Sequence, residues 1–375
     1  MKKLLMIVLT NIEDCSHGVS QKIIGQSAGF TCLGYDVYIV AYSNNGCILF
    51  NCNNHSKESY SCKVNRFNLF KYARQISEKY TFDNIYVRFP HADLSFISLL
   101  KHLYKKKSKI IIEVPSFPLE YGNLRIKRNL FYKISDILFS RHIKKYVKKV
   151  FYVGMKTNSI FGISASRIPN GYNNYRDFSS NKSINKNEIN MICVSHIHQS
   201  HGLDRLFFSL AEYIKASKKT LGIHITIVGG GIEKEHIKSL IKELKIEKYV
   251  TMYNFLAGEE LECLYAKANM GIGPLALYRR NSDDGSPLKT KDYFLRGIPY
   301  ICSYNEIGID ENLPFIKKFP NNEQIIDFGD IIDFFNSYVD NYQTVSRNMM
   351  AYGIKVFKWE NILKKVVDCF EDENE

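Results

Sequence analysis

The sequence lacks the marks of several protein classes. Its nine cysteines, at positions 15, 32, 47, 52, 62, 193, 263, 302 and 369, form no CxxC pair and no Cys/His cluster at zinc-ligand spacing. Their odd number argues against a closed set of disulfides, so reduced thiols in a cytoplasmic protein are the expectation. No stretch approaches the ~18–20 uninterrupted apolar residues of a membrane span, and any membrane contact must be peripheral. The start, MKKLLMIVLTNIEDC, has an apolar run only from Leu4 to Leu9, with acids after it and no small-residue cleavage site. It reads as a first buried strand, not a secretory leader. No internal repeat is visible. Gly229-Gly230-Gly231 follows a strand, but a dinucleotide fingerprint needs a third glycine where Lys234 stands.

What is present suits a large enzyme. A chain of 375 residues with 45% apolar content can bury more than one core. With 51 Lys and Arg against 38 Asp and Glu the formal charge is +13, which suits an anionic partner: nucleic acid, an anionic membrane surface or a phosphorylated ligand.

Strand and helix alternate from the start. The pattern predicts strands at Leu4–Leu9, Asp36–Ala41, Ile85–Phe89, Lys109–Val114 and Val150–Val153, with helices at Asp93–Leu103 and Lys127–Lys148 among the connections. Residues 42–66, rich in Asn, Ser and Cys, resist assignment. A polar segment from Asn173 to Lys186 reads as a linker. The alternation then restarts, with strands at Ile189–Val194, Ile223–Val228, Tyr249–Tyr253, Met270–Gly273 and Pro299–Cys302. Helices fall between them at about 203–216, 233–245, 259–267 and 287–296. Two successive doubly wound α/β domains follow, whose ligands sit beyond the carboxyl ends of the strands. The boundaries expected are 1–170, 171–350, and a terminal helix in 351–375 packing back on the first domain. The acidic end reads as a frayed tail.

The stretch DDGSPLKTKDYFLRGIPYI, from Asp283 to Ile301, carries the most chemistry. Ser286 before Pro287 is a helix-start signal, and Gly297 and Pro299 mark the stop. The free N–H groups at Leu288 and Lys289 then make an anion site, and Gly285 lets the backbone approach a ligand. Leu288, Lys289 and Asp292 share a face. N–H groups with a lysine suit the phosphates of a nucleotide, and a carboxylate suits paired ribose hydroxyls. The other reading is an ordinary Lys289–Asp292 surface pair, worth roughly 0.2–0.5 kcal/mol.

This stretch, an acid, seven residues and a second acid ahead of Gly-x-Pro, resembles the donor-site signature of family 4 glycosyltransferases of GT-B architecture. The family's two acids are usually Glu; here they are Asp284 and Asp292. The likeness extends through ICVSHIHQSHGLDRLFFSL (192–210), ITIVGGGIEKEHIKSLIKEL (225–244) and AKANMGIGPLALYRR (266–280), with IPNG (168–171) and FKWE (357–360) as landmarks. The wording of HGLDR and SPLKTKDY is similar to a bacterial branch that builds capsular and other surface polysaccharides.

The resemblance implies that Asp292 holds the ribose and Asp284 a hydroxyl of the donor sugar. The family's Arg and Lys for the diphosphate align with His196 and His201, so Lys289, Arg205 and the helix start (Gly285, Ser286, Leu288) must supply more of the charge. Gly18 matches the turn that approaches donor phosphates. Glu113, ending a strand where the family often places a histidine near the reacting sugar, joins Asp284 as a catalytic candidate. The blander readings are an ordinary turn at Gly18 and a buried, satisfied carboxylate at Glu113; Arg279 and Arg280, ahead of the acidic loop, face either phosphate or simply water.

The expectation is a cytoplasmic enzyme that moves a sugar from a nucleoside-diphosphate donor, a UDP-sugar by preference, to a lipid-linked surface glycan. The resemblance implies retention at the anomeric carbon, no cofactor and no metal. Lys127–Lys148, basic and amphipathic, is the candidate for peripheral docking on the inner membrane face; a core-facing helix with a solvated basic side is the alternative. Two other functions stay open. A GT-B-like nucleotide-sugar epimerase shares the donor site, and an RNA-binding protein fits the charge but has no RNP, KH or helix-turn-helix pattern; no nucleic acid partner is expected.

Overall fold

The run Leu4–Val8 is unbroken because its strand is covered on both faces. Leu4, Met6 and Val8 enter one apolar cluster, while Leu5 and Ile7 enter another. A central parallel strand needs apolar side chains at every position, not at alternate ones. The computed structural model describes residues 1–14, 18–119, 126–172, 184–216, 221–309 and 313–372, with the backbone alone at 126–129. The segment expected to be a linker falls outside these residues from 173 to 183, as does the acidic tail from 373.

The chain divides into two units, Met1–Asn174 with Phe357–Glu375, and Tyr175–Val356. In the first unit the strands are β1 (Lys3–Asn11), β2 (Asp36–Ser43), β3 (Gly46–Asn51), β4 (Lys57–Ser61), β5 (Asn84–Arg88), β6 (Lys109–Phe117), β7 (Lys149–Gly154), β8 (Ser159–Ile160) and β9 (Ile163–Arg167). They form one sheet in the order β4-β3-β2-β1-β5-β6-β7-β9-β8. From β2 to β9 neighbouring strands are parallel; β3 and β4 extend the sheet as an antiparallel meander. That meander accounts for most of the unassigned residues 42–66. Asn51 organises its turn, its side-chain oxygen accepting from the N–H groups of Asn53 and Asn54 at 2.8 and 3.1 Å.

Helices α1 (Gly18–Cys32), α2 (Arg66–Lys79), α3 (Leu94–Lys105) and α4 (Ile126–Phe139) connect these strands. The single helix expected over Lys127–Lys148 ends at Phe139 and tightens into a 3₁₀ turn at Ser140–Lys145. The tighter turn buries Ile143 and leads into β7.

The second unit holds β10 (Glu188–Val194), β11 (Gly222–Val228), β12 (Val250–Tyr253), β13 (Met270–Ile272), β14 (Asp284–Gly285), β15 (Tyr300–Cys302), β16 (Asn305–Glu306) and β17 (Ile316–Lys318). Its main sheet is wholly parallel, in the order β12-β11-β10-β13-β15-β17. Helices α5 (Leu203–Ala216), α6 (Lys234–Glu243), α7 (Gly258–Lys267), α8 (Leu288–Arg296), α9 (Phe328–Val339) and α10 (Tyr342–Phe357) complete it. The chain passes back into the first unit at Phe357, several residues later than 351, because α10 continues unbroken to that point.

The last helix, α11 (Trp359–Glu371), lies on α1. Trp359, Ile362, Leu363, Val366 and Phe370 join the cluster of Leu4 and Met6. The crossing is close because position 29 is glycine: a Cβ there would stand 2.7 Å from the Trp359 Cβ.

Candidate donor-binding site

The strand order of the second unit reverses direction between β10 and β13. Connections leaving these two strands pass to opposite faces of the sheet and leave a crevice beyond their carboxyl ends, where ligands of such folds bind. The residues singled out from sequence in this unit gather at that point. The loop after β10 runs through Ser195–Gly202; the one after β13 runs from Gly273 to Pro287. They are tied together where the Leu275 and Ala276 N–H groups donate to the carbonyls of His201 and Ser200 at 3.0 and 3.1 Å.

Helix α8 is pinned across both strands. The Tyr293 hydroxyl lies 2.9 Å from the Ile192 carbonyl on β10 and 3.0 Å from that of Ile272 on β13. Gly271 makes room for the ring, since a Cβ there would stand 2.6 Å from it. On another side Glu306 takes hydrogen bonds from Thr290 and Tyr304, both at 2.7 Å, and pairs with the buried Lys291. Of the two lysines in SPLKTKD, Lys291 therefore anchors the helix. Pro287, not Ser286, occupies the cap position, and it has no side-chain acceptor to offer the first turn. Helix geometry leaves those N–H groups without intrahelical partners.

Lys289 makes no pair with Asp292. It is 7% exposed, and its ammonium lies 3.5 Å from the Cys193 thiol at the end of β10. Burial lowers its pKa, with only the thiol opposing. Asp292 accepts from Arg296 at 3.1 Å, one turn on, and Arg296 in turn holds Glu262 of α7 at 2.5 Å. The Asp292 carboxylate is 44% exposed, yet enclosure by surrounding protein raises its pKa although Arg296 pulls the other way.

His201 is the electrostatic centre of the crevice. Burial is the largest cause of a pKa well below 6.5, and Lys289, His198, Arg280 and His196 all push in the same direction. Its Nδ1 accepts from the His198 N–H at 3.3 Å and stands 3.3 Å from the Ser195 hydroxyl. The neutral ring therefore carries its proton on Nε2, as a hydrogen-bond donor. Three of the residues gathered here, Cys193, Ser195 and His198, were not singled out from sequence, and Arg280, read there as facing phosphate or water, joins them. The order of strands that brings them together is invisible in a linear reading. His196 is exposed on the same loop.

Several expectations need correction. Arg205 is 3% exposed and spent on backbone: its Nε donates to the Gln324 carbonyl at 2.9 Å and its other nitrogens to Gln324, Pro320 and Leu275. It holds loops together and has no reach to a phosphate. Gly285 answers to packing, since a Cβ there would stand 2.9 Å from the Leu277 side chain. Ser286 is buried and lies one residue before the cap position of α8. Arg279 is locked by Asp204 at 2.7 and 2.9 Å and by Glu323 at 2.8 Å. This ion-pair cluster lines a cavity of about 570 Å³ beside the loop after β10, with His198, Glu233 and His236. Glu113 is fully buried in the first unit, 2.5 Å from Lys22 and accepting from Gln26 at 2.9 Å. Burial pushes its pKa up, but the charges of Lys22 and Arg88, with the hydrogen bonds from Lys22 and Gln26, hold it below the usual carboxylate value. A group enclosed this way does not meet substrate.

Asp284 is partly exposed and fixed by Asn305, which donates to it at 3.0 Å across the β14–β16 pairing. Gly18 opens α1 and is exposed. In the triple glycine, a Cβ at Gly229 or Gly231 would stand 2.0 and 2.2 Å from the Ser195 and Ile197 carbonyls, whereas Gly230 faces open space.

No family model matches the chain, and no curated protein matches its sequence. Solved structures do. Sucrose-phosphate synthase from Thermosynechococcus elongatus is 14% identical, covering 99% of this chain and 98% of its own, with a TM-score of 0.64. The lipopolysaccharide outer core galactosyltransferase WaaB is also 14% identical, covering 98% and 99%, at 0.61. The catalytic domain of starch synthase IV from Arabidopsis thaliana, bound to ADP and acarbose, is 10% identical, covering 99% and 98%, at 0.65. The chain has the GT-B fold. Within a GT-B chain, the crevice at β10 and β13 lies at the switch point of the second Rossmann-like unit.

Proposed function

We propose that this GT-B protein is a glycosyltransferase that binds a nucleoside-diphosphate sugar in the crevice of its second unit. The observation that carries the reading is the gathering of Lys289, Arg280, His196, His198 and the α8 N-terminus around His201, with a buried lysine whose described partner is a thiol. Such a set is poised for an anion. In this reading the first-turn N–H groups, the His201 Nε2–H and Lys289 take the diphosphate, Asp292 takes the ribose hydroxyls, and Asp284 a hydroxyl of the sugar. As the bond from the anomeric carbon to the diphosphate breaks, an acceptor hydroxyl oxygen bonds to that carbon and its proton passes to an oxygen of the departing diphosphate. The charge left on the diphosphate meets donors already in place, each worth ~3–4 kcal/mol to the transition state.

The acceptor we propose is a growing, lipid-linked surface glycan on the cytoplasmic side of a membrane, with a UDP-sugar as donor and retention at the anomeric carbon. Its support is the sequence resemblance at 192–301 together with a similar solved structure, WaaB, that serves lipopolysaccharide. Calorimetry against UDP, GDP, ADP and CMP tests the donor site. One diphosphate should bind selectively and weaken at least tenfold in Asp292→Ala. Equal, weak binding of all four by both proteins would remove the reading.

A further inference from the structure

Helix α4 is built inside out. Its polar residues Ser135 and Asp136 are buried and face unit 1, where the Ser135 hydroxyl donates to the Ala92 carbonyl and Asp136 accepts from the Ala92 N–H and binds His91 Nδ1 at 2.8 Å. His91 stacks on Tyr132 of the same helix, ring centroids 4.7 Å apart. Leu130, Phe131, Ile134, Ile137 and Leu138 meanwhile lie between 48% and 66% exposed. At spacings of three and four they form one outward stripe. A helix of a soluble fold turns such a stripe to the core, as α3 does with Phe96, Leu99, Leu100 and Leu103.

The charge around the stripe is of one sign. Residues 126–149 contain eight Lys or Arg and a single acid, Asp136, which is the one buried. Lys133, Arg141, Lys144 and Lys145 are exposed. A second copy of the chain set against this face would bring like charges together. Nucleic acid would leave five large apolar side chains in water. An anionic bilayer meets both demands, taking the apolar stripe below the headgroups and the basic residues at their level.

We infer that α4 is a monolayer-docking helix that holds unit 1 on an anionic lipid surface. The hydrogen bonds of Ser135 and Asp136 set its rotation, so that the apolar side faces outward. This inference rests on unit 1 alone and stands whether or not the donor-site reading does.

The test is co-sedimentation of the full chain with vesicles of phosphatidylcholine alone or with 30% phosphatidylglycerol, a composition chosen at about the anionic content where surface potential is appreciable. Binding should require phosphatidylglycerol, weaken at least tenfold between about 0.1 and 0.5 M salt, and fall at least tenfold in the pair Ile134→Glu with Ile137→Glu. Both side chains are exposed, so the pair should leave the melting temperature unchanged. A second variant, Lys144→Ser with Lys145→Ser, should lower affinity for the anionic vesicles while leaving the apolar stripe intact. Binding that ignores the glutamates, no binding to any vesicle, or a dimer broken by the same pair would each overturn the inference.

Discussion

Lys289→Met separates a ligand-binding lysine from a packing one, because the two roles predict opposite signs. The ammonium is buried with a thiol as its described partner, and an ion taken from water without a counter-charge costs several kcal/mol. A methionine of similar length fills the space without that cost. The ligand-free variant should be more stable by ~1–3 kcal/mol, or about 2–4 °C per kcal/mol for a unit of this size. Affinity for the preferred nucleoside diphosphate should fall by ~1.5–3 kcal/mol, about 10- to 150-fold, the loss expected for a hydrogen bond to a charged group. The pH dependence adds a sign. Burial lowers the lysine's pKa, so between that value and the ordinary 10.5 the unfolded chain binds more protons, and wild-type stability rises with pH across this window. The advantage of methionine should be full below the lowered pKa and shrink as pH rises towards 10.5. Thermal unfolding across pH and calorimetry at neutral pH read both quantities. A variant that melts lower and binds the nucleotide as well as wild type would refute the reasoning.

Four further outcomes are expected. Arg205→Met should destabilise by ~3 kcal/mol or more, since several buried carbonyls lose their donor, while nucleotide affinity at a temperature well below unfolding stays unchanged; urea titration and calorimetry check the pair. Gly229→Ala forces a Cβ against the Ser195 carbonyl at a φ of +133°, so it should lower both stability and diphosphate affinity, measured in the same way. Trp359→Ala should cost ~3–5 kcal/mol, seen as a lower melting temperature, because the ring fills the seam between α1 and α11. An NMR titration should find the His201 ring neutral through pH 6–8. Because its native pKa is lowered, stability should fall as pH drops below 6.5 and less so in His201→Gln.

The regular elements were legible because each carries its own period. The buried strands are continuous apolar runs, and α6 shows Ile237, Leu240 and Ile241 on one side. The β3–β4 meander was not legible, since β3 is buried on both faces between polar turns and β4, Lys57–Ser61, alternates in burial with almost no apolar side chains to mark it. In the candidate site, the helix, its stop and its two acids could be read locally. The fates of Arg205, Arg279 and Glu113 could not, because each is decided by partners far away in sequence: Gln324, Asp204 and Glu323, and Lys22. Charge type alone does not say whether a side chain is already engaged. The outward stripe of α4 was hidden for a related reason. Its periodicity is that of a core helix, and only the burial of Ser135 and Asp136 shows which way it is turned.

The return of the chain to the first unit at Phe357 has a temporal meaning. The second unit is one continuous segment, and every strand of its sheet is available before α11 is made. The first unit is interrupted: the groove on α1 opened by Gly29, and the apolar face formed by Leu4, Met6 and Phe30, wait for Trp359 and the helix behind it. On a ribosome the half of the protein begun first is the half finished last. A chain released with its end just before residue 357 should hold a closed second unit and a first unit with an open seam, the state in which chaperone capture would be strongest.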